Sequence, residues 1–263
     1  MDELRRESRA ATAARMYDVL VSLTVSDLRV RYGRGRLPFL KWLLDPFAVV
    51  GVYLVLVAFV LDKPGESPGL AITCAVVPFQ LVMLAVVNGM NAVNIRRSII
   101  LNMDFPRGLL PVSSVLTDAA VFSASFLLFA IMMAAYGIVP TPALAWFPVV
   151  VVLNFVLAVS WAYPASLIGL WFPDLRPFIF SFVRVLFFLA PGLVTLAEIR
   201  GQAHGLVQLN PLTGLFESYR AVFLYGEAPG VRDLLYPLGF AVLMLAAFVP
   251  LYRREERHFA KVL

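Results

Sequence analysis

The sequence predicts an all-α membrane protein that crosses the bilayer several times. Hydrophobic residues make up 60% of its 263 residues and charged residues only 15%, and the mean hydropathy is +0.83. A soluble domain is about one quarter charged, so this chain has too little polar surface for a water-soluble protein of its size. Six apolar runs also approach the roughly 20 residues that a helix needs to cross a hydrocarbon core. We therefore expect a polytopic protein with six transmembrane helices.

The N-terminal segment, residues 1–42, is charged at first and then amphipathic. Apolar side chains recur there at helical spacing, namely Tyr17, Leu20, Val21 and Leu28. A basic cluster follows, made of Arg29, Arg31, Arg34, Arg36 and Lys41. A basic amphipathic helix lies in the plane of the membrane interface rather than across it. We expect such an interface helix, ended by Gly33, Gly35 and Pro38.

The six spans form a predicted transmembrane domain over residues 43–252, followed by a tail over 253–263. We place the spans at 43–61, 70–93, 115–138, 148–170, 178–197 and 234–252. Seventeen of the 22 Lys and Arg residues lie in the N-terminal segment, the second and fourth connections and the tail, and four lie in the other connections. Because cytoplasmic segments carry the excess of Lys and Arg, both termini are expected on the cytoplasmic side of the inner membrane.

The second connection, within residues 94–118, is long, basic and partly apolar. Its arginines are Arg96, Arg97 and Arg107. Pro106 and Pro111 are expected to break it into short pieces, since proline lacks the N–H that a helix interior needs. One interpretation is an ordinary basic loop that fixes the topology. The other is a structured element at the membrane face on which a cytoplasmic partner pushes.

The segment 198–233 is too long and too apolar for a plain outer loop. Its apolar residues fall at spacings of three and four, which predicts an amphipathic helix; they are Leu212, Leu215, Phe216, Tyr219 and Phe223. Asn210 is suited to cap this helix, with Pro211 at the first helical position. We expect a pair of short helices that dip into the outer leaflet and border a cavity, because irregular backbone at that depth must be covered by protein or water.

Residues for catalysis or metal binding are sparse. The three lysines lack the Gly-Lys-Ser/Thr context of a phosphate-binding loop, so this chain is expected to hydrolyse no ATP. The single Cys74 and the distant His204 and His258 predict no disulfide framework, zinc site or other bound metal. The placement of the basic residues also argues against a nucleic-acid partner. We expect a chain without catalytic residues or cofactors of its own.

Two charged residues within or beside the spans have alternative interpretations. Asp118 is predicted near the start of the third span, where a carboxylate stabilises the first turn through the helix dipole; a functional role is the alternative. Arg184 lies about a turn and a half into the fifth span. It either extends its guanidinium to the cytoplasmic interface or pairs between helices, or it receives the phosphate of a lipid-linked substrate.

Aromatic and amide side chains in the spans suggest a passage for a bulky neutral or glycosidic cargo. Aromatic faces offer apolar area of defined geometry that sugar C–H surfaces can use. The aromatic candidates are Phe47, Tyr53 and Phe59, and the polar ones are Asn88, Asn91 and Asn154. Aromatic residues at helical spacing also serve packing and the membrane interface, which is the competing interpretation.

Four motifs in order resemble the membrane subunit of type-two ABC exporters, in the polysaccharide, O-antigen and teichoic-acid branch (Wzm-like). They are DLRVRYGRGRLPFLKWLLDPF (27–47), FPRGLLPVSSVLTD (105–118), LNPLTGLFESYRAVFLYG (209–226) and LYRREERHFAKVL (251–263). The resemblance covers nearly the whole chain. Two departures are RYGRGRLPFLKW in the first motif and FPDLRPF before the fifth span. They bear on the substrate class rather than on the family.

The resemblance implies roles for two groups of residues. A coupling and gate helix over 95–112, together with the interface helix, would contact the ATPase through Tyr17, Arg29, Arg31, Arg96, Arg97, Ile99, Asp104, Phe105 and Arg107. Outer gate helices over 198–230 would shield the exit with Asn210, Pro211, Phe216, Glu217 and Arg220. It also implies a homodimer of this chain, two separate ATPase subunits that bind ATP and Mg, and a lipid-linked glycan as cargo.

Three other functions stay open at this point. An exporter of the same architecture could carry a drug or a small lipid through a narrower apolar cleft. An integral-membrane enzyme acting on polyprenyl lipids would need clustered Asp, Glu or His near one membrane face, and the sequence shows no such cluster. A passive channel or scaffold would need no ATPase partner.

Overall fold

The computed structural model describes residues 2–32, 38–55, 67–102, 105–193, 195–196 and 202–259. Over these residues the chain forms helices and no strand, which confirms the all-α prediction. The α-helices are α1 (Asp2–Tyr32), α2 (Pro38–Val55), α3 (Pro68–Ile95), α4 (Arg97–Asn102), α5 (Leu109–Phe122), α6 (Phe126–Ala135), α7 (Phe147–Trp171), α8 (Arg176–Leu189), α9 (Gln202–Val207), α10 (Pro211–Arg220) and α11 (Val231–Glu255).

Four helical stretches of the described chain are long and apolar enough to cross a membrane. They are Pro68–Ile95, Leu109–Ala135, Pro142–Trp171 and Val231–Glu255. They correspond to the predicted second, third, fourth and sixth spans. The chain is therefore a multi-pass membrane protein.

The third of the predicted spans begins earlier than expected because Pro111 does not break it. Leu109 is the first residue of α5, so Pro111 is its third. The first turn of a helix has free N–H groups in any case, and a proline there removes no hydrogen bond. The expectation that Pro111 interrupts the chain is therefore wrong. The predicted helix 95–112 is instead divided among the end of α3, α4 and the start of α5.

The other two predicted spans are described only in part. Helix α2 covers the first part of 43–61, and residues 56–61 lie outside the described chain. Helix α8 has 14 residues and ends at Leu189, where the backbone turns. At 1.5 Å per residue it is about 21 Å long, which is shorter than a hydrocarbon core of about 30 Å. The count of six spans stays a prediction.

Helix α3 is the centre of the bundle. It packs against α7, α5, α10 and α2. Of its 18 most apolar consecutive residues 67% are buried, against 11% for the corresponding stretch of α11. Small residues let α3 and α7 approach closely, as is common between membrane helices. A Cβ added at Gly169 would collide with the Met90 backbone, and one added at Gly89 would lie 3.1 Å from the Ala162 oxygen. Cys74 is buried in this core, as expected of a small packing residue.

Hydrogen bonds define two ends of the bundle. At one end the Gly69 N–H donates to the Tyr136 hydroxyl (3.0 Å), which joins the start of α3 to the end of α6. At the other end the Gly108 N–H donates to the Glu256 carboxylate (3.0 Å), which joins the connection before α5 to the end of α11. The end with Gly108 and Glu256, which also contains the end of α3, is called the basic end. The end with Gly69 and Tyr136 is called the opposite end.

Candidate functional site

Helix α1 is fastened to the basic end by a buried ion pair. Arg96, at the end of α3, is 3% exposed, and its Nη2 donates to the Asp27 carboxylate of α1. Its Nη1 donates to the Ala92 carbonyl at 3.2 Å. A buried charge needs a partner of this kind, so Arg96 fixes α1 rather than facing solvent. The predicted coupling residue is thus placed inside the protein.

The surface of the basic end is formed by α4 and its neighbours. Arg97 is exposed on α4, whereas Ile99 and Phe105 are half-buried against α1. Between α1 and these two residues lies a groove of about 360 Å³, lined on the α1 side by Val19, Ser22 and Leu23 among others. The basic end thus combines an exposed arginine with a mainly apolar groove.

The remaining predicted coupling residues are spread along α1 and its surroundings. Tyr17 is 67% exposed, and Arg29 is also exposed. Arg31 lies in α1 with its side chain outside the described part of the chain, and Asp104 lies outside the described residues altogether. The structure therefore brings Ile99 and Phe105 together with α1, and leaves Arg97, Tyr17 and Arg29 on the surface.

The connection before α5 is tied to the end of α11. Besides the bond from Gly108, the Arg107 Nη1 donates to the Glu256 carbonyl. The Tyr163 hydroxyl of α7 donates to the Gly108 carbonyl at 3.0 Å. Sequence reasoning missed Glu256, because its partners lie 148 and 149 residues away. The run of five charged residues over 253–257, at the end of α11, was the only sequence signal.

Helix α10, at the opposite end, begins with the predicted cap. The Asn210 Oδ1 accepts from the Leu212 N–H at 3.0 Å, and Pro211 is the first helical residue. The Asn210 Nδ2 also donates to the Leu186 carbonyl at 2.6 Å, so the cap is attached to α8. The predicted capping role of Asn210 is confirmed, and the structure adds its contact with α8.

Arg220 holds α10 to two other parts of the opposite end. The residue is 0% exposed. Its Nη1 lies 2.7 Å from Glu217, its Nη2 donates to the Pro191 carbonyl (2.7 Å), and its Nε donates to the Ala71 carbonyl (3.4 Å). Since Ala71 is in α3 and Pro191 follows α8, one guanidinium joins three segments. A planar group with five N–H donors is suited to this task.

An aromatic cluster surrounds the buried face of α10. Phe216 is 0% exposed and its ring centroid lies 5.9 Å from that of Phe187. The Tyr219 ring stacks on Phe129 with 5.7 Å between centroids. The Asn154 Nδ2 lies 3.3 Å from the Tyr219 hydroxyl. Phe216 and Asn154 therefore pack in the interior between α10 and its neighbours.

Asp118 lies in the middle of α5, not in its first turn. It is 1% exposed, and its Oδ1 accepts from the Asn88 Nδ2 at 2.7 Å. The expected helix-dipole role is wrong, because α5 begins nine residues earlier, at Leu109. The predicted passage residue Asn88 is thus part of a polar contact between α3 and α5. Asn91 donates to the Val87 carbonyl of its own helix at 3.0 Å.

The other predicted passage residues lie apart from these. Phe47 and Tyr53 are half-buried on α2, and the Tyr53 ring centroid lies 5.6 Å from that of Phe187. Arg184 is exposed on α8, and Phe59 lies outside the described residues. Exposed apolar side chains share the surface of α8 with Arg184, namely Phe178, Phe182, Val185, Phe188 and Leu189. Within the described chain, no three His, Cys, Asp or Glu side chains are grouped so that they could hold a metal ion.

Comparison with known proteins identifies relatives that are similar over nearly the whole length of the chain. No family model matches the chain. The O-antigen export system permease protein RfbA of Myxococcus xanthus is 27% identical over 245 residues, which is 92% of this chain and 94% of the relative. Two proteins of the same description from Klebsiella pneumoniae are each 22% identical over 250 residues, or 94% of this chain and 96% of the relative. The predicted resemblance is confirmed on these grounds: over more than nine tenths of its length, the chain is similar to permease proteins of O-antigen export systems.

Proposed function

We propose that the chain is the membrane subunit of an exporter that carries a lipid-linked polysaccharide across the cytoplasmic membrane. Two copies would assemble with two copies of a separate ATPase, which binds ATP and Mg. The observation that carries this proposal is the similarity to O-antigen export permeases over 92–94% of the chain. Those relatives are named as O-antigen export permeases, which supports a glycan as the cargo.

The basic end is the proposed docking site of the ATPase. By the positive-inside rule this end would face the cytoplasm, where the ATPase would bind. Arg97 is exposed there for a direct contact, and Phe105 and the groove beside α1 offer apolar area. A push on α4 would reach α1 through Arg96 and Asp27, since packed elements move as rigid units.

The same push would reach α11 through a second set of contacts. The connection that follows α4 is bonded to Glu256 at the end of α11 and to Tyr163 of α7. Helices α7 and α11 also pack along each other. Movement of the connection would therefore tilt these two helices together, and α10, which packs on α11 at the opposite end, would move with them.

The exposed face of α8 is the proposed wall of the passage. Its aromatic side chains and Arg184 have no cover within one copy of the described chain. In a dimer, two such faces would enclose a space lined by aromatic rings, which suit sugar C–H surfaces. The guanidinium of Arg184 would be available to the phosphate of a lipid-linked glycan.

Charge reversal at Arg97 tests the proposal. In cells that lack the native gene, the Arg97→Glu variant should insert normally but lose most polysaccharide export and most stimulation of the ATPase. Arg96 is unsuitable for this purpose, because its reversal would place two carboxylates in one buried site. The matched control is Arg232→Glu, an equally exposed arginine at the opposite end. Unchanged export in Arg97→Glu, or accumulation of a small lipid rather than a glycan in cells without the permease, would contradict the proposal.

A further inference from the structure

An apolar groove lies between α7 and α11 at the basic end. It encloses about 380 Å³. Its apolar lining comprises Ile168, Trp171, Phe172, Phe248 and Leu251, and Glu255 borders it toward the tail. The groove therefore lies between the last turns of two helices that are long and apolar enough to span the membrane.

The groove faces away from the core. Trp171 is 38% exposed, Phe172 59% and Leu251 42%. Little of α11 is buried within the chain, so its apolar surface has to be covered by lipid or by protein. A tryptophan at the end of a spanning helix lies at the depth of the lipid headgroups, where its ring is apolar and its N–H can reach polar groups.

An exposed arginine lies beside the headgroup side of the groove. On α11, Phe248, Leu251 and Glu255 follow one another at helical spacing along one face. Arg254 is exposed and lies three residues after Leu251, beside this face. His258 follows in the next turn, and its Nδ1 is 3.7 Å from the Glu255 Oε2. Two acids lie nearby: Glu256 is engaged inward with Gly108, and Glu255 borders the groove itself. The exposed Arg253, Arg254 and Arg257 outnumber them, so the local charge at this end of α11 is positive.

We propose that this groove binds an acyl chain of an anionic phospholipid from the cytoplasmic leaflet, with the headgroup phosphate on Arg254. The apolar lining takes the chain, and the arginine selects the charge. The inference rests on the proposed orientation of the basic end. A lipid held here contacts α7 and α11 at once, which are the helices joined to the connection before α5. Anionic lipid would thereby support the two helices that the ATPase is proposed to move.

Photoreactive lipids test the proposal in the assembled exporter. The permease with its ATPase partner is reconstituted in vesicles containing either phosphatidylglycerol or phosphatidylcholine with a diazirine in the acyl chain. Labelled peptides are then identified by mass spectrometry. Phosphatidylglycerol should label the peptides around Trp171 and Leu251 about fivefold more than phosphatidylcholine, the ratio that corresponds to the attraction of one Arg for an anionic membrane surface.

Paired variants define the outcome. Arg254→Gln should bring the labelling ratio close to one, whereas Arg253→Gln, an exposed arginine on another face of α11, should leave it unchanged. Leu251→Trp should reduce labelling by filling the groove, and Leu243→Trp, at another exposed site on α11, should not. Equal labelling by both lipids would overturn the proposal. Absence of label in these peptides would also overturn the proposal. A disulfide between two copies of the Phe172→Cys variant would then show that the groove is covered by protein instead of lipid. None of these readouts depends on export, so they fail or succeed independently of the proposed cargo.

Discussion

The two ends of the helix bundle place their charged residues in opposite ways. At the opposite end, Arg220 is wholly buried and shared among Glu217 and two backbone carbonyls from other segments. At the basic end, a buried pair lies directly beside the exposed Arg97. Arg220 thus holds a short helix in place at the opposite end, and we propose that the buried pair at the basic end passes a contact at the surface into the bundle. In this proposal, arginine anchors a helix at one end and transmits movement at the other.

The largest effect is expected from Arg220→Ala. The substitution leaves the Glu217 carboxylate without its cation and removes the donors of the Ala71 and Pro191 carbonyls. Removing one partner of a buried ion pair costs about 3–5 kcal/mol of unfolding free energy. Thermal unfolding of the purified permease in detergent measures the loss.

The double variant Arg220→Met, Glu217→Gln is the control for this prediction. It removes both charges, so it should recover part of the lost stability. If Arg220→Ala unfolded at the same temperature as the unaltered protein, Arg220 would not be an anchor and the contrast between the two ends would fail.

A smaller effect is expected from Asp27→Ala at the basic end. Arg96 would lose its carboxylate but keep its bond to the Ala92 carbonyl, and this pair joins only α1 to the end of α3, whereas Arg220 joins three segments. Losing a hydrogen bond to a charged group costs about 2 kcal/mol. The loss should be local, so amide hydrogen exchange should speed up in α1 while α3 stays protected.

Asp18→Asn is the matched control, since Asp18 is an exposed acid on the same helix. It should leave the exchange of α1 unchanged. Equal acceleration in both variants would show that the ion pair does not fasten α1.

The smallest effect on stability is expected from Glu256→Ala. It removes the acceptor of the Gly108 N–H, while the Glu256 backbone carbonyl can still accept from Arg107. A hydrogen bond to a charged group contributes about 1.5 kcal/mol at the low end of its range, which applies here because Glu256 is only half-buried. Hydrogen exchange of residues 107–110 should rise, and ATP consumed per unit of exported polysaccharide should increase because the link to α11 is weakened.

Glu256→Gln keeps an amide oxygen at the same position and serves as the control. It should retain most of the protection of Gly108. If Glu256→Ala left both the exchange rate and the ratio of ATP to export unaltered, the connection to α11 would have no part in transmission.

The sequence predicted the long apolar helices well because their ends carry local signals. Helices α3, α7 and α11 begin or end within a few residues of the predicted spans, and the Asn210–Pro211 start of α10 was identified from capping chemistry alone. Local rules failed at Pro111, where the helix began earlier than the hydrophobic pattern suggested. Asp118 was misplaced for the same reason.

The partners of the charged residues could not be predicted. Arg96 pairs with a residue 69 positions away, and Arg220 donates to a carbonyl 149 positions away. Nothing in residue spacing distinguishes such a buried arginine from an exposed one like Arg97. The predicted passage residues Asn88 and Asn154 also proved to join helices, because an amide in an apolar run is suited equally to a passage and to a contact within the bundle.

The central claim is that a separate ATPase binds the basic end of this protein. Site-directed cross-linking tests it most directly, in a Cys74→Ala background that removes the single, buried thiol. With a short bifunctional reagent, Arg97→Cys should cross-link to the ATPase subunit and the yield should change when ATP is added. Val231→Cys, 72% exposed at the opposite end, should give no such product. Cross-linking from Val231→Cys but not from Arg97→Cys would contradict the account.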